Sequence, residues 1–276
     1  SAFEVTYTPV GDYHGVDEFT YEVEDGAGLT ARATVHITVD PVNDAPTFTP
    51  GGDVTVGEDA APYEALWAGD LDPGRFEPDQ GLDGFDVSSD DDALFAEPPA
   101  LDPTGSLTFT PAPDAHGSAT VTATLSDDGG TANGGEDTSA AETFTITVTP
   151  VNDPPSFTSG GDVTVDEDSG PYEEPWADDL SAGPPDEEAS QSLTGFTVTG
   201  NTNPDLFAAG PTVGADGSLE FTPAEDANGS AEVTVELSDD AGGTSPSETF
   251  RITVTPVNDP PEVVDDPTED FTTAGN

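Results

Sequence analysis

The chain has 276 residues, of which 58 are acidic and only three (Arg32, Arg75 and Arg251) are Lys or Arg, giving a formal charge of −55. A surface this uniformly negative repels nucleic-acid phosphate and anionic lipid headgroups, which excludes both as partners and makes cations the expected ligands. With 33% apolar and 8% aromatic residues the chain can fill two or three modest cores, it has no cysteine for disulfide staples, and no apolar run approaches the ~20 residues of a membrane span.

Residues 1–44 read as strand, turn, strand, turn, strand (Phe3 to Thr8, Phe19 to Glu24, Ala33 to Val39) and end in Pro41-Val42-Asn43-Asp44. This reads as the second half of a repeat. The string Pro-Val-Asn-Asp returns at Pro150 to Asp153 and at Pro256 to Asp259, after 109 and 106 residues. Between these markers the landmarks recur in one order: Phe48/Phe157, GGDVTV, Glu58-Asp59/Glu167-Asp168, Tyr63/Tyr172, Trp67/Trp176, Phe85/Phe196, Leu94-Phe95/Leu206-Phe207, Phe109/Phe221, Leu125/Leu237 and Phe144/Phe250. Residues 45–153 and 154–259 are therefore two copies of one domain. Residues 260–276, with Pro-Pro-Glu-Val-Val-Asp-Asp, read as the start of a further copy.

Within each copy the periodicity is two. Val121, Ala123 and Leu125, then Phe144, Ile146 and Val148, alternate with threonines, and the same holds for Val233, Val235, Leu237 and for Phe250, Ile252, Val254. Such alternation marks half-buried strands. Turn signals such as Asp102-Pro-Thr-Gly105 and Asp216-Gly217 separate about seven short strands per copy, which predicts an all-β fold of tandem immunoglobulin-like sandwiches. Length differences between the copies fall in polar, glycine-rich stretches; the largest, between Asp128 and Glu142, is six residues longer than Asp240 to Glu248. These are surface loops.

Scarce Lys and Arg with abundant Asp, Glu, Ala, Thr and Gly is also the composition expected in a salt-saturated habitat. Molar salt shortens the Debye length to about 3 Å and removes the self-repulsion of the folded chain. A basic start and an apolar signal core are lacking at the N-terminus, so a secretion signal and any anchor are expected outside this segment.

The pattern P-V-N-D-[AP]-P followed by V-x-V-x-E-D resembles bacterial and archaeal cadherin-like repeats, including the VCBS type of large surface proteins. Both whole copies carry it, together with Trp-Ala-x-Asp-Leu, Gly-Ser-Leu-x-Phe-Thr-Pro-Ala and Asp-Asp-[GA]-Gly. The N-terminal piece (Tyr7-Thr8-Pro9, His14-Gly15, Asp17, Phe19-Thr20-Tyr21, Asp25-Gly26) resembles the back half of a shorter relative. The resemblance implies an extracellular, cell-surface stalk, fibre or adhesin whose partners are neighbouring copies or repeats, other surface proteins or glycans. It also implies calcium at the linkers, because calcium takes six to eight oxygens at about 2.3–2.6 Å. The residues matching such sites are the linker pairs Asn43-Asp44, Asn152-Asp153 and Asn258-Asp259, the first-strand acids Glu58 and Glu167, and the late acids Asp127 and Asp239, with Asp25 in the partial repeat. Asp70 and Asp72 match an early Asp-x-Asp pair; the second copy has Asp178-Asp179 followed by Leu180-Ser181, which breaks that spacing. The linker Asn-Asp also suits a purely structural role, its side chain capping a turn while the prolines stiffen the chain.

The aromatic series around Trp67 and Trp176 reads as sandwich core. His14 and His116 precede glycines in matching turns, with Asn228 in the place of His116, and His36 alternates with Val35 and Ile37 and so faces solvent. Asn228-Gly229-Ser230 forms a glycosylation sequon but reads first as a hairpin turn. Catalysis finds no support: carboxylate pairs are everywhere by composition, and nucleophile, zinc and phosphate-loop motifs are missing. The alternatives to a stalk are a filament subunit assembled by strand complementation between molecules, and accessory domains of a large exoenzyme. In the first, the C-terminal piece of one molecule, or the continuation of the chain, completes the N-terminal half.

Overall fold

The computed structural model describes residues 4–260 except Phe76, Pro78, Asp186, Glu188 and Ala189. It divides into two units, Ser1–Val151 and Asn152–Asn276. Strand β1 (Gly15–Glu24) and β2 (Thr30–Val39) open the first unit, followed by β3 (Thr47–Thr49), β4 (Val54–Gly57), β5 (Tyr63–Leu66), β6 (Gly69–Asp72), β7 (Leu82–Ser89), β8 (Phe95–Leu101), β9 (Ser106–Pro111), β10 (Gly117–Asp127) and β11 (Glu142–Thr149). The second unit holds β12 (Ser156–Ser159), β13 (Val163–Asp166), β14 (Tyr172–Pro175), β15 (Ala177–Ser181), β16 (Leu193–Asn201), β17 (Phe207–Val213), β18 (Ser218–Pro223), β19 (Gly229–Asp239) and β20 (Glu248–Thr255). The only helical segments among the described residues are three short 3₁₀ turns, and no helix there is long and apolar enough to cross a membrane.

Each whole copy is a sandwich with one topology. In the first, a four-stranded sheet β4-β11-β10-β7 faces a three-stranded sheet β5-β9-β8, and β3 pairs with β6; in the second, the orders are β13-β20-β19-β16, β14-β18-β17 and β12-β15. Among the described residues only β4 with β11 and β13 with β20 run parallel. The tandem immunoglobulin- and cadherin-like sandwiches read from the sequence are thus present. Nine strands per copy are formed because the three- to five-residue pieces β3, β6, β12 and β15 also pair.

The period-two residues point inward. Val121, Ala123 and Leu125 of β10 and Ile146 of β11 are fully buried, as are Val233, Val235, Leu237 and Ile252 in the second copy. Each of the valines, leucines and isoleucines contributes about 1.5–3 kcal/mol on burial. Trp67 and Trp176 sit in the same cores, with ring centroids 4.2 Å from Phe144 and Phe250 respectively. The indole N–H groups donate to the carbonyls of Gly52 and Gly161. Next to each tryptophan the hairpin glycine turns at φ +88° (Gly105) or +85° (Gly217), and its carbonyl accepts the N–H of Trp67 and Ala68, or of Trp176 and Ala177. A side chain at Gly105 would strike the carbonyl of Ala68, so the β8–β9 turn can close on the connection between β5 and β6 only with glycine there.

The N-terminal piece differs from the expectation in one respect. Residues 4–8 form no strand, and Phe3 lies outside the described residues. Strands β1 and β2 pair along their whole length, from Gly15 opposite Val39 to Glu24 opposite Thr30, yet no residue of either is fully buried. Tyr21 and Val23 hold the sequence places of Ala123 and Leu125 but are 45% and 52% exposed. The difference has a plain cause: β10 lies between β7 and β11, and β11 in turn pairs with β4, whereas among the described residues β1 and β2 pair only with each other.

Candidate cation-binding sites

At the start of the first whole repeat the linker folds back onto the loops that follow β6 and β10. Asn43, 8% exposed, donates from Nδ2 to Asp127 Oδ1 (2.9 Å) and to the Glu136 carbonyl (2.7 Å). The Asn43 carbonyl accepts the Glu136 N–H (3.0 Å). Asp127, 3% exposed, also takes the Gly129 N–H on Oδ1 (2.9 Å). The N–H of Asp44 donates to Glu77 Oε1 (3.2 Å). Four atoms of this nest are buried with no hydrogen-bond partner: Asn43 Oδ1, Glu77 Oε2, Gln80 Oε1 and Asp127 Oδ2. All four are acceptors.

The second repeat brings equivalent residues together in a more open arrangement, with Asn152 exposed. Asn152 Nδ2 reaches Asp239 Oδ2 (3.3 Å), Asp239 Oδ1 accepts the Gly243 N–H (2.8 Å), and the Asp153 N–H is shared by the two Glu187 oxygens at 3.2 Å each. Glu187 is buried, as is Gln191 Oε1, which has no partner. Desolvation pushes the Asp239 carboxyl up, but the N–H of Gly243 and the Asn152 amide outweigh it and hold the group below the ordinary carboxylate range. Glycines line both nests: a methyl group at Gly74 or Gly183 would overlap Oε2 of Glu77 or Glu187, and one at Gly129 or Gly243 would overlap Asn43 Oδ1 or Asp239 Oδ2.

Glu58 and Glu167 stand apart from the nests and grip the linker that follows their own repeat. Glu58, 2% exposed, accepts the Val151 N–H on Oε1 (2.7 Å), while its buried Oε2 accepts no hydrogen bond and lies 3.6 Å from His116 Nδ1. Glu167 accepts the Val257 N–H (2.7 Å) and the Asn228 amide (3.1 Å). His116 and Asn228 therefore do more than shape a turn; each faces a buried glutamate. Beyond Glu167 the Asp259 carboxyl is pushed up by desolvation and then by the charges of Asp168, Asp226 and Glu167. Asn258 donates to the Asp259 carbonyl (3.1 Å), and the repeat it would introduce, residues 261–276, lies outside the described residues.

The early acids are not brought to the nests. Asp70 and Asp179, both exposed with positive φ, accept the hydroxyls of Thr49 (3.0 Å) and Thr158 (3.2 Å) across short strand pairs. Asp72 Oδ1 caps the Gly74 N–H (3.0 Å), as the Ser181 hydroxyl does for Gly183 (3.3 Å), which is why the broken Asp-x-Asp spacing is tolerated in the second copy. Asp25 caps its own hairpin through the N–H groups of Ala27 and Leu29. In the place of the early acids the nests hold Glu77 with Gln80 and Glu187 with Gln191. The signal for them lay in a variable loop that nevertheless keeps Gly, then Glu, then Gln in order in both copies. His36 is 78% exposed at its side chain, as its alternation implies.

Among the described residues no group of three or more His, Cys, Asp or Glu side chains is placed to hold a metal. The nests are instead mixtures of carboxylate and carboxamide oxygens, which suit a hard cation such as calcium and not a thiolate- or imidazole-seeking metal. A cleft of 720 Å³ borders the first nest and is lined in part by Asp40, Asp44, Glu77, Asp79 and Gln80.

A search of curated proteins returns no match. Among solved structures the chain is similar to mouse protocadherin-24 EC1-3 at 16% identity, covering 87% of this chain and 80% of that one with a TM-score of 0.44. It is also similar to human protocadherin-24 EC1-2 in form II (15% identity, 77% and 100% covered, TM-score 0.46) and to chicken VE-cadherin EC1-2 (17% identity, 74% and 98% covered, TM-score 0.31). The family model described as Bacterial Ig domain matches residues 2–38 and 152–255, together half of the sequence. The chain belongs to the bacterial Ig domain family.

Proposed function

We propose that this chain is a structural or adhesive repeat segment of a secreted or cell-surface protein working at high salt, with calcium or salt stiffening the linkers between repeats. In this reading residues 45–153 and 154–259 are whole repeats, residues 1–44 are the second half of another, and 260–276 begin a further one. Its partners are other repeats or copies of the same protein. The observation that carries the reading is duplication of detail: both copies repeat the core, the linker grip by Glu58 or Glu167, and the nest at the linker Asn. A chain that repeats every polar site with its domain is built for spacing and attachment, where an enzyme needs one reactive centre.

Small-angle scattering of the chain at moderate salt, with calcium and then with excess chelator, tests the linker claim. A longer, stiffer profile with calcium is expected; identical profiles would remove calcium from the proposal.

The exposed β1–β2 hairpin favours a second reading, in which strands from another molecule complete the N-terminal half. Concentration-dependent association of the intact chain, abolished when Val23 and Tyr21 become Thr, supports that reading, and a monomer at all concentrations removes it.

A further inference from the structure

The loops that follow β10 and β19 differ in length but are built on one frame. In the first repeat the Asp127 N–H donates to the Asp137 carbonyl, and Ser139 exchanges hydrogen bonds with the backbone of Leu125. In the second the Asp239 N–H donates to the Gly243 carbonyl, and Ser245 does the same with Leu237. The loop starts match as well, since Asp128 and Asp240 bond the backbone just before β7 and β16, at Gly81 and Ser192. Asp137 therefore stands where Gly243 does. The six extra residues lie within residues 128–136, nine residues against three at 240–242.

That extra length reaches the linker. The loop makes one short 3₁₀ turn at Ala132–Gly134 and returns with its end laid along Asn43. There the Glu136 N–H donates to the Asn43 carbonyl (3.0 Å), and the Glu136 carbonyl accepts a hydrogen bond from Asn43 Nδ2 (2.7 Å). A methyl group at Gly135 would lie 2.9 Å from Asn43 Cβ and 3.0 Å from its backbone nitrogen, so the loop backbone covers the asparagine closely. On the loop side both bonds come from the main chain, so the reach of the loop decides them and the side chain of Glu136 does not. Among the described residues the short loop of the second repeat makes no hydrogen bond to the Asn152 carbonyl, and the Asn152 amide keeps the long bond to Asp239 (3.3 Å). Burial follows the same division: Asn43 is 8% exposed and Ala45 half-buried, where Asn152 and Pro154 are exposed.

We propose that residues 128–136 are a strap that locks the preceding linker onto the first whole repeat with no cation required, and that the short loop at 240–242 leaves the corresponding linker loosely held. Loop length between the late aspartate and the serine then sets how firmly each repeat holds the linker before it, and an array of such repeats can alternate stiff and yielding joints. Backbone N–H and C=O groups do not titrate, so the strap works independently of pH, unlike a carboxylate grip. This inference rests on the reading of the chain as a spacer of linked repeats and adds which of its linkers is locked.

Hydrogen exchange of the intact chain, in 1 M KCl with excess chelator, tests the strap at the amides of Asp44 and Asp153. Both donate to a glutamate at 3.2 Å, so the strap is what distinguishes them. In wild type Asp44 should be the better protected. Replacing residues 128–136 by the Asp-Ala-Gly of the second loop should lower protection at Asp44 at least about tenfold, the effect of losing two ordinary hydrogen bonds, and leave Asp153 unchanged. Grafting residues 128–136 in place of 240–242 should raise protection at Asp153 by a similar factor. The amides of β10 report the body of the repeat in the same experiment. If they too lose protection on loop exchange, Glu136→Pro replaces it: this removes one strap donor after a Gly135 already extended at φ −64°, ψ 159°, and should lower Asp44 protection severalfold. Equal protection of Asp44 and Asp153 in wild type, or unchanged protection of Asp44 in the variant whose β10 is intact, overturns the strap. Small-angle scattering of the same wild-type sample with and without calcium judges the spacer reading by itself, so either can fail alone.

Discussion

Replacing Trp67 by alanine tests whether each repeat stands on its own core. The indole is 7% exposed, its ring centroid lies 4.2 Å from that of Phe144 and 6.3 Å from that of Phe48, and its N–H donates to the Gly52 carbonyl at 3.0 Å. Truncating a buried tryptophan costs about 3–5 kcal/mol in lost packing and cavity. The orphaned Gly52 carbonyl adds roughly 1 kcal/mol. A domain of this size is stable by about 5–15 kcal/mol, so the loss brings the first repeat close to its limit. At about 4–8 °C per kcal/mol the midpoint falls by roughly 16 °C or more. The chain has two tryptophans, so in Trp67→Ala the remaining fluorescence comes from Trp176 in the second core. Calorimetry should show one early transition, while the Trp176 signal melts at its wild-type temperature. The two cores share no residue, and this independence is the point at risk. A shift under about 1.5 kcal/mol, or an equal fall in the Trp176 transition, would refute the reasoning.

Other substitutions follow from the buried polar groups. Glu58→Ala and Glu167→Ala strip the Val151 and Val257 N–H groups of their acceptor; each should cost about 1–3 kcal/mol, read as a lower urea midpoint at constant slope. His116→Asn should be nearly neutral in the same assay, because Asn228 already meets the equivalent glutamate. Asp102 is held below the ordinary carboxylate range by the Thr104 hydroxyl and then the Ser106 N–H, and Asp216 by the Ser218 hydroxyl and N–H. A depressed carboxyl stabilises the fold above its unfolded value and loses that contribution as pH falls through the folded one. Asp102→Asn/Asp216→Asn should therefore flatten the acid limb of a Tm-against-pH curve, and an unchanged limb would disprove the role. Raising KCl from about 0.1 to about 1 M, which cuts the Debye length from about 10 to about 3 Å, should raise the midpoint of both repeats; insensitivity to salt would remove self-repulsion from the account.

The core was legible because its signal is local. A strand that alternates Val121, Ala123, Leu125 with threonines states which face is buried, and duplication of the pattern 112 residues later states it again. The nests were legible only in part. Asn43 and Asp127 are flagged by motif, but with 58 acids in the chain a motif cannot say which carboxylates meet. Glu77 and Gln80 join Asn43 only because β6 and β7 bring the ends of their loop beside the linker, and that loop differs in length between the copies. Asp70 and Asp72 have the sequence spacing of ligands, yet both carboxylates are used locally, one on Thr49 and one on the Gly74 N–H. The strands of the β1–β2 hairpin were legible, while the absence of a strand over residues 4–8 was not: a strand there needs a neighbour to pair with, and alternation cannot report whether one exists.

The linker residues divide their allegiance in a way that gives the conserved-looking string Pro-Val-Asn-Asp a physical meaning within this one chain. The valine N–H is taken by the buried glutamate of the repeat before it, as Val151 is by Glu58. The asparagine amide is taken by the late aspartate of the repeat after it, as Asn152 is by Asp239. One peptide bond thus joins a residue held by the first unit to a residue held by the second. Both grips are carboxylates with low exposure. The two halves of the linker can be tested separately: Glu58→Ala should loosen the end of the first repeat, whereas Asp239→Ala should release the Asn152 amide and leave the Val151 anchor intact. Hydrogen exchange at the Val151 amide separates the cases, because protection that falls in Asp239→Ala as much as in Glu58→Ala would show that the two grips are one.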